Sequence, residues 1–375
     1  MTNVMSRVSH RVGSSLIDTH IHVLTPSYVK ALEENGGDPS GWPTPAWTLA
    51  ECIRFSDTIN SRFSVLSVTA PGPALLGPTE AGRTMARALN DEVWAVCGQR
   101  PGRLGFFASL PDFNDIDGVL EEIEHVFGQL KVANGVVVMT SYGDKLLGDE
   151  SFRPIWDALN KHNALVFVHP SHVNIFPEKI SGFLPQPVID YPQATTRAAM
   201  SLILSGIMTE CHNVDVILSH AGGTLPYLGQ RAAGSLVDAM ISSRAKVNFI
   251  QAKHAMSRFY YDLALSTSPP QLHALLSFAS HDHVLYGSDF PYAPKLGIYT
   301  GLLQYAHFVK GKEGASFRPA KLCANTTHLL RKHQQPNSVL PPAEEEPNKG
   351  KAEFGLDEDE NAQKAVEELS RINSQ

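Results

Sequence analysis

Short apolar runs recur along the chain, and each is followed by glycine, proline or a polar residue, which is the pattern of buried β-strands. The runs lie at 16–22, 63–69, 104–110, 135–140, 164–169, 215–220, 259–264 and 284–288. Helical patterns lie between most of them, at 79–98, 115–130, 151–162, 193–211 and 269–280. Alternating strands and helices predict a parallel sheet. Eight strands in roughly 320 residues predict an α/β fold of the (β/α)8 TIM-barrel type.

The alternation of strands and helices would also fit an open doubly wound sheet. Such a sheet normally carries a glycine-rich phosphate turn after its first strand. Here that position holds His20 and His22, one residue apart. Because the side-chain period of a strand is two, both imidazoles point to the same face. The barrel is therefore the favoured architecture.

Polar residues with metal-binding side chains end four of the predicted strands. His20 and His22 end the first, His169 follows 164–168, His220 follows 214–219, and Asp289 follows 284–288. The carboxyl ends of barrel strands meet at one face, where active sites lie. The five side chains are therefore expected to lie together.

Three imidazoles and a carboxylate suit one borderline divalent ion, of which Zn²⁺ is the preferred choice and Mn²⁺ the alternative. The expected ligands are His20, His22, His169 and Asp289, with His220 beside them as a base, an acid or an orienting group. A ligand role for His220 stays open. The fourth strand, 135–140, has no lysine that could bridge two metals when carboxylated, so a single metal is expected.

Composition narrows the class of protein. The 375 residues are 43% hydrophobic and 18% charged, as in ordinary globular proteins. Basic residues number 31 and acidic residues 38, and no basic stripe is present, so nucleic acid is not an expected partner. The four cysteines form no paired motif, which is typical of reduced thiols inside cells. Without a signal segment or a membrane-length apolar run, the expected location is the cytosol.

The chain divides into three expected regions. Residues 1–14 form an N-terminal arm, 15–332 the barrel, and 333–375 an acidic tail with ten acidic and four basic residues beyond position 340. Two long connections are expected to border the barrel mouth. These are 23–60 and 171–190, and Phe183 in the second is expected to line a substrate pocket.

Several stretches together resemble the amidohydrolase superfamily, in particular its decarboxylase branch, which includes aminocarboxymuconate-semialdehyde decarboxylase and the hydroxybenzoate decarboxylases. The resemblance covers about 15–332. The matching stretches are Asp-Thr-His-Ile-His at 18–22, His-Pro at 169–170, Tyr-Pro-Gln-Ala-Thr-Thr at 191–196, Ser-His-Ala-Gly-Gly at 219–223 with Leu-Pro at 225–226, and Tyr-Gly-Ser-Asp-Phe-Pro at 286–291.

The resemblance implies metal-dependent, non-oxidative decarboxylation of an aromatic acid. It places the metal ligands on His20, His22, His169 and Asp289, and the catalytic histidine on His220; Asp289 is the candidate proton donor. The finer likeness, to fungal 6-methylsalicylate decarboxylases, implies conversion of 6-methylsalicylate to 3-methylphenol (m-cresol) and CO2.

Two further substrate-binding positions follow from the resemblance. Tyr292 matches an aromatic position that lines the pocket, and Arg231 matches an arginine that reaches the substrate of a neighbouring subunit. The second match implies a homodimer or higher homo-oligomer. A surface salt bridge is the alternative role for Arg231. The chain departs from the semialdehyde enzyme in having no clear match for that enzyme's own-subunit substrate arginine.

Two other functions remain as alternatives. A metal-dependent hydrolase, such as a lactonase or amidohydrolase, would use the same ligands to activate water, because a fold does not fix a reaction. A non-catalytic binding scaffold would be expected to have lost some ligands, whereas all five polar positions are intact.

Overall fold

The computed structural model describes residues 15–342 together with Gln363, Lys364 and Glu367. Within that part of the chain, seven strands form one parallel sheet in the order β1-β2-β3-β4-β7-β8-β9. Their bounds are Leu16–Val23 (β1), Ser61–Val68 (β2), Leu104–Ser109 (β3), Gly135–Met139 (β4), Leu165–His169 (β7), Asp215–Leu218 (β8) and Tyr260–Tyr261 (β9). A small antiparallel hairpin of Ser141–Tyr142 (β5) and Lys145–Leu146 (β6) follows β4.

An eighth segment closes the sheet into a barrel. Residues 284–290 form parallel bridges to β1 on one side, at Tyr286 and Phe290, and to β9 on the other, at Val284. The amide of Leu285 donates to Tyr261 O at 2.8 Å and that of Thr19 to Tyr286 O at 3.0 Å. The predicted (β/α)8 barrel is confirmed.

Helices surround the barrel. They are Pro26–Glu34 (α1), Leu49–Thr58 (α2), Glu80–Gly98 (α3), Ile116–Ile123 (α4), Arg153–Lys161 (α5), Asp190–Leu204 (α6), Ile207–Glu210 (α7), Leu225–Gly234 (α8), Ala239–Ser242 (α9), Phe249–Ser257 (α10), Pro269–Phe278 (α11), Lys295–Phe308 (α12) and Pro319–Lys332 (α13). Several of them begin at a capping side chain. Thr25 accepts a hydrogen bond from the amide of Tyr28, and Asp115 accepts one from that of Gly118.

The last two predicted strands are shorter than expected, for a reason that concerns the site. Regular pairing of 259–264 stops after Tyr261, because the Asp262 carboxylate accepts the amides of His220 and Ala264. Residues 284–288 form bridges rather than a strand. There the amides of Ser288 and Asp289 both donate to His20 O, at 3.1 and 2.7 Å.

The barrel interior has an apolar floor beneath its carboxyl-terminal face. Phe107 and Phe167 pack with ring centroids 5.4 Å apart, and Phe167 contacts the His20 ring edge-on at 5.0 Å. Both phenylalanines are buried, as are all eight residues of β1. His20 therefore rests on packed rings, which fixes its height in the barrel.

The barrel body continues past the expected boundary at 332. His333 is buried and contacts Asp215 at 2.9 Å, and the Asn134 side chain donates to Val339 O at 2.8 Å. Residues 333–340 thus pack against the amino-terminal end of the sheet. The expected arm, 1–14, and almost all of the acidic tail beyond 342 lie outside the described residues. Across the described chain, every helix is too short or too polar to cross a bilayer.

Candidate metal centre and substrate cavity

Four side chains from three parts of the barrel meet at its carboxyl-terminal face. His20, His22, His169 and Asp289 each place one ligand-type atom within 4.8 Å of the others, and all four are buried. One Asp289 carboxylate oxygen, Oδ1, lies 3.2 Å from His22 Nε2 and 3.5 Å from His20 Nε2. The predicted ligand set is thus brought together by strands that are distant in sequence.

The donor set fits a divalent cation. His20 Nε2 and His22 Nε2 are buried and have no hydrogen-bond partner among the described residues. Buried polar atoms are nearly always partnered, so two such nitrogens facing one carboxylate point to a ligand they share. Three imidazoles and a carboxylate are ligands of the kind that Zn²⁺ and related ions take.

The other nitrogen of each ligand histidine is held from behind. His20 Nδ1 lies 2.9 Å from Asp262 Oδ2, His169 Nδ1 lies 2.7 Å from Pro170 O, and His22 Nδ1 lies 3.3 Å from Ser67 O. Each of these oxygens is an acceptor, so Nδ1 carries the hydrogen and Nε2 is left as the donor atom for a metal. The geometry thereby fixes the tautomer that binding requires.

Asp262 is a functional residue that the sequence analysis missed. Its Oδ2 faces His20, while its Oδ1 accepts the amides of His220 at 3.1 Å and Ala264 at 2.9 Å. One carboxylate therefore orients a metal ligand and holds the backbone of the candidate catalytic histidine. A signal was present, because Asp262 is the one charged residue within the predicted seventh strand, 259–264.

His220 stands beside the four ligands rather than among them. Its ring centroid is 4.9 Å from that of His20, and it also lines the cavity. His220 Nδ1 lies 3.1 Å from Ala264 O, so the ring donates there and Nε2 is free to act as a base. Both His220 and Ala221 have positive φ, near 55°, a costly conformation for residues with a side chain. Such strain at a cavity wall is typical of functional positions.

Charge is distributed unevenly over the cluster. Burial opposes protonation of His20, but the carboxylates of Asp262 and Asp289 outweigh it and raise its pKa to about 10. Burial, with repulsion from neighbouring rings, lowers the pKa of His169 and His220. Burial also opposes ionisation of Asp289, yet the close approach of the His20 and His22 imidazoles prevails and holds its pKa well below the usual range. Without a metal, a proton on His20 therefore supplies positive charge at the place where a cation would bind.

A cavity of about 550 Å³ opens above the cluster. His169, His220 and Asp289 form part of its wall, and the first long connection contributes Asp38 and Trp42. The remaining wall is largely apolar or aromatic, and none of the cavity-lining residues in the described chain is lysine or arginine. The volume is in the range of small-molecule sites.

The three predicted substrate-binding residues have different positions. Tyr292 lines the cavity, and its ring meets His22 edge-on at 5.7 Å. Arg231 lies on the exposed side of α8, outside the cavity wall of its own chain. Phe183 is 75% exposed and also lies outside that wall. Pro187 and Val188 are the residues of the same loop that line the cavity. Only the end of this loop reaches the cavity, and Phe183, which precedes that end, faces solvent.

Comparison with known proteins places this geometry in a family. The family model described as amidohydrolase matches residues 17–315. The 6-methylsalicylic acid decarboxylase of Penicillium expansum is 41% identical over 299 residues, which are 79% of this chain and 90% of that protein. A protein of the same name from Aspergillus aculeatus is 40% identical over 308 residues, covering 80% of this chain and 90% of that protein.

Solved structures agree on the architecture. One described as an amidohydrolase II superposes with a TM-score of 0.74 at 29% identity, over 84% of this chain and all of that one. A 5-carboxyvanillate decarboxylase of Novosphingobium aromaticivorans, crystallised with manganese, has a TM-score of 0.72 at 17% identity over 85% of this chain and 97% of that one, a likeness of fold. Because the family model matches most of the chain and a relative is 41% identical to it, the chain belongs to the amidohydrolase family.

Proposed function

We propose that this protein is a metal-dependent carboxy-lyase that decarboxylates a hydroxybenzoate-type acid, with 6-methylsalicylate as substrate and 3-methylphenol and CO2 as products. The observation that carries the proposal is the set of unpartnered imidazole nitrogens facing Asp289 at the base of a cavity of small-molecule size. The relatives named 6-methylsalicylic acid decarboxylase, at 40–41% identity, support the reaction class and the substrate.

His20, His22, His169 and Asp289 would hold one divalent metal; zinc is the proposed ion, with manganese as the alternative. When bound, that ion supplies Lewis-acid and templating chemistry to the substrate's carboxylate and adjacent phenolic oxygen. The chain's own residues supply the rest. No lysine or arginine of the described chain lines the cavity, so the cluster is where a substrate's negative charge is compensated.

Proton delivery is the chemical problem of this reaction. The ring carbon that bears the carboxylate must gain a proton before the bond to CO2 breaks. Asp289 lines the cavity and is the proposed carrier of that proton; because its pKa lies well below the usual range, it is ionised at rest and must first receive the proton that the substrate's hydroxyl releases. His220, with its ring fixed by Ala264 O, is proposed to hold the reacting geometry and to exchange the proton with the substrate's hydroxyl.

Two further residues are proposed to bind substrate. The Tyr292 hydroxyl is buried and has no partner among the described residues, so it is available to donate to a substrate oxygen. Arg231 is exposed on α8 and, in a homodimer or higher homo-oligomer, is proposed to complete a neighbouring cavity. Phe183 stays a predicted substrate-binding residue, and in this structure it lies outside the cavity wall. The expected cytosolic location stays a prediction.

Product analysis tests the proposal. Zinc- or manganese-loaded protein is incubated with 6-methylsalicylate, salicylate and, for the rival hydrolase, a panel of aromatic lactones and amides. The expected result is 3-methylphenol and CO2 from 6-methylsalicylate, with no hydrolysis products. Hydrolysis of a lactone or amide without CO2 release would favour the hydrolase, and a protein that retains no added metal and transforms none of these compounds would favour the binding scaffold. The His22→Ala protein is the control for contaminating activity.

A further inference from the structure

One wall of the cavity carries a carboxylate that neither the ligand group nor the proposed mechanism uses. Asp38 lies in the connection between α1 and α2 and lines the cavity together with Trp42, Tyr191 and Tyr292. Its Oδ1 accepts the amide of Ser40 at 2.8 Å, which fixes the side chain against its own loop. Ser40 is buried, so this part of the loop is packed rather than fraying.

Asp38 has no strong cationic partner. None of the ion pairs among the described residues includes Asp38, and no lysine or arginine in that part of the chain lines the cavity. His172, a half-buried side chain of the opposite loop, is the basic group whose charge reaches Asp38. Burial raises the pKa of Asp38 by more than the hydrogen bonds from Ser40 and the charge of His172 lower it.

Two tyrosines of the cavity wall are affected by the charges of both Asp38 and the candidate metal ligand Asp289. Burial and the charges of Asp38 and Asp289 together raise the pKa of Tyr191 and of Tyr292. Both phenols are therefore neutral, and both stand within the electrostatic reach of the two carboxylates. A substrate ring whose acid group lies at the four candidate metal ligands would therefore extend into a cavity whose wall also carries the negative charge of Asp38.

We propose that Asp38 is a specificity-determining residue: it excludes aromatic acids that carry a second anionic group on the ring, and admits those whose other substituents are neutral. This inference rests on the proposed function, because it assumes that the substrate's acid group lies at the ligand group. A second carboxylate would enter an apolar-walled cavity, face Asp38 and find no lysine or arginine of the same subunit among the described cavity-lining residues to compensate it.

Equilibrium binding tests this inference without requiring turnover. The ligands are 2-hydroxybenzoate and two diacids, 2-hydroxybenzene-1,3-dicarboxylate and 4-hydroxybenzene-1,3-dicarboxylate, which place the second carboxylate at different ring positions. Binding to the zinc-loaded protein is followed by calorimetry and by the fluorescence of Trp42 at the cavity wall. The variant is Asp38→Asn, which keeps the shape of the side chain and removes its charge. Asp144→Asn, in the exposed β5–β6 turn, is the control for net charge.

The wild-type protein is expected to prefer the monoacid, and Asp38→Asn to reduce that preference about tenfold for at least one diacid, which is the scale of one charge–charge contact in a partly screened site. The control should leave the preference unchanged. An unchanged preference in Asp38→Asn would overturn the inference while leaving decarboxylation intact. A reduced preference in a protein that releases no CO2 from 6-methylsalicylate would support the inference and overturn the proposed function.

Discussion

Buried histidine–aspartate clusters occupy both ends of this barrel, and they differ in how fully their polar atoms are partnered. At the amino-terminal end, Asp215 Oδ2 accepts from Lys332 at 2.5 Å and contacts His333 Nε2 at 2.9 Å. His333 Nδ1 donates to Asn163 O at 2.8 Å. Both ring nitrogens and the carboxylate are engaged, so this cluster is complete within the chain.

The cluster at the carboxyl-terminal end is incomplete within the chain. His20 Nε2 and His22 Nε2 have no partner among the described residues, although both side chains are fully buried. Leaving such atoms unpartnered costs about 1–3 kcal/mol each. The first cluster ties α13 to β8 and serves stability, whereas the second is held open for a ligand. Substitutions in the carboxyl-terminal cluster should therefore reduce metal binding or activity, whereas substitutions in the amino-terminal cluster should reduce the stability of the fold.

The largest expected effect is on metal binding. Replacing His22 by alanine removes one of four ligands, and the variant should purify with little metal and lose more activity than the ~10²–10⁴-fold that one acid–base group contributes. Its thermal midpoint without metal should stay close to that of the metal-free wild type. Elemental analysis and product assays measure both. Full metal content in this variant would contradict the ligand assignment.

His220→Ala separates chemistry from metal binding. Since His220 lies outside the four-ligand group, the variant should keep its metal and lose about 10²–10⁴-fold in kcat. Metal content and steady-state kinetics check this. Near-normal turnover would refute a catalytic role, and loss of the metal would make His220 a ligand.

At the opposite end, Asp215→Asn should destabilise the fold by about 2–3 kcal/mol, less than a fully buried pair because Lys332 is partly exposed. Burial opposes ionisation of Asp215, but hydrogen bonds from His333 and Lys332 prevail and lower its pKa. The contribution of a carboxyl with a depressed pKa is present above its unfolded value, near 3.8, and is lost as pH falls through the folded value.

The difference in unfolding free energy between wild type and Asp215→Asn should therefore be full at pH 7 and shrink below about pH 4. Denaturant titrations at several pH values measure it. Metal affinity and kcat should not change. A loss of metal from this variant would show that the two ends are coupled and would break the comparison.

The smallest effect is expected at Asp262. An asparagine amide can still accept the amides of His220 and Ala264, but its NH2 would then face His20 Nδ1 and favour the tautomer with hydrogen on Nε2. Metal affinity should fall about 10–100-fold, and excess metal should restore turnover. Competition with a chelating dye measures the affinity. Unchanged affinity would contradict the positioning role.

Local patterning was enough to predict the barrel and its ligand group. Apolar runs ended by His22, His169 and Asp289 mark strand ends in any parallel sheet, and barrel closure makes those ends converge. The irregular last two strands were harder to predict. Their pairing depends on the amides of His220 and Ala264, which donate to the Asp262 carboxylate, and on those of Ser288 and Asp289, which donate to His20 O more than two hundred positions away.

Loop residues show the limit of sequence patterns most clearly. Phe183 and Val188 belong to one apolar-rich loop, yet Val188 lines the cavity and Phe183 points to solvent. Asp38, in contrast, gave no sequence signal and stands in the cavity wall. Loop paths depend on packing against distant elements, which no short-range pattern encodes.

The sequence by itself predicted the type of fold and the candidate metal-ligand set, because strand periodicity and ligand chemistry are local properties, and its motifs carried the family resemblance. Only the tertiary structure decided which nitrogen of each histidine is free, that Asp262 holds both His20 and His220, and that Asp38 faces the cavity. These depend on atoms from separate strands and loops meeting within hydrogen-bond distance, and that proximity is created by barrel closure.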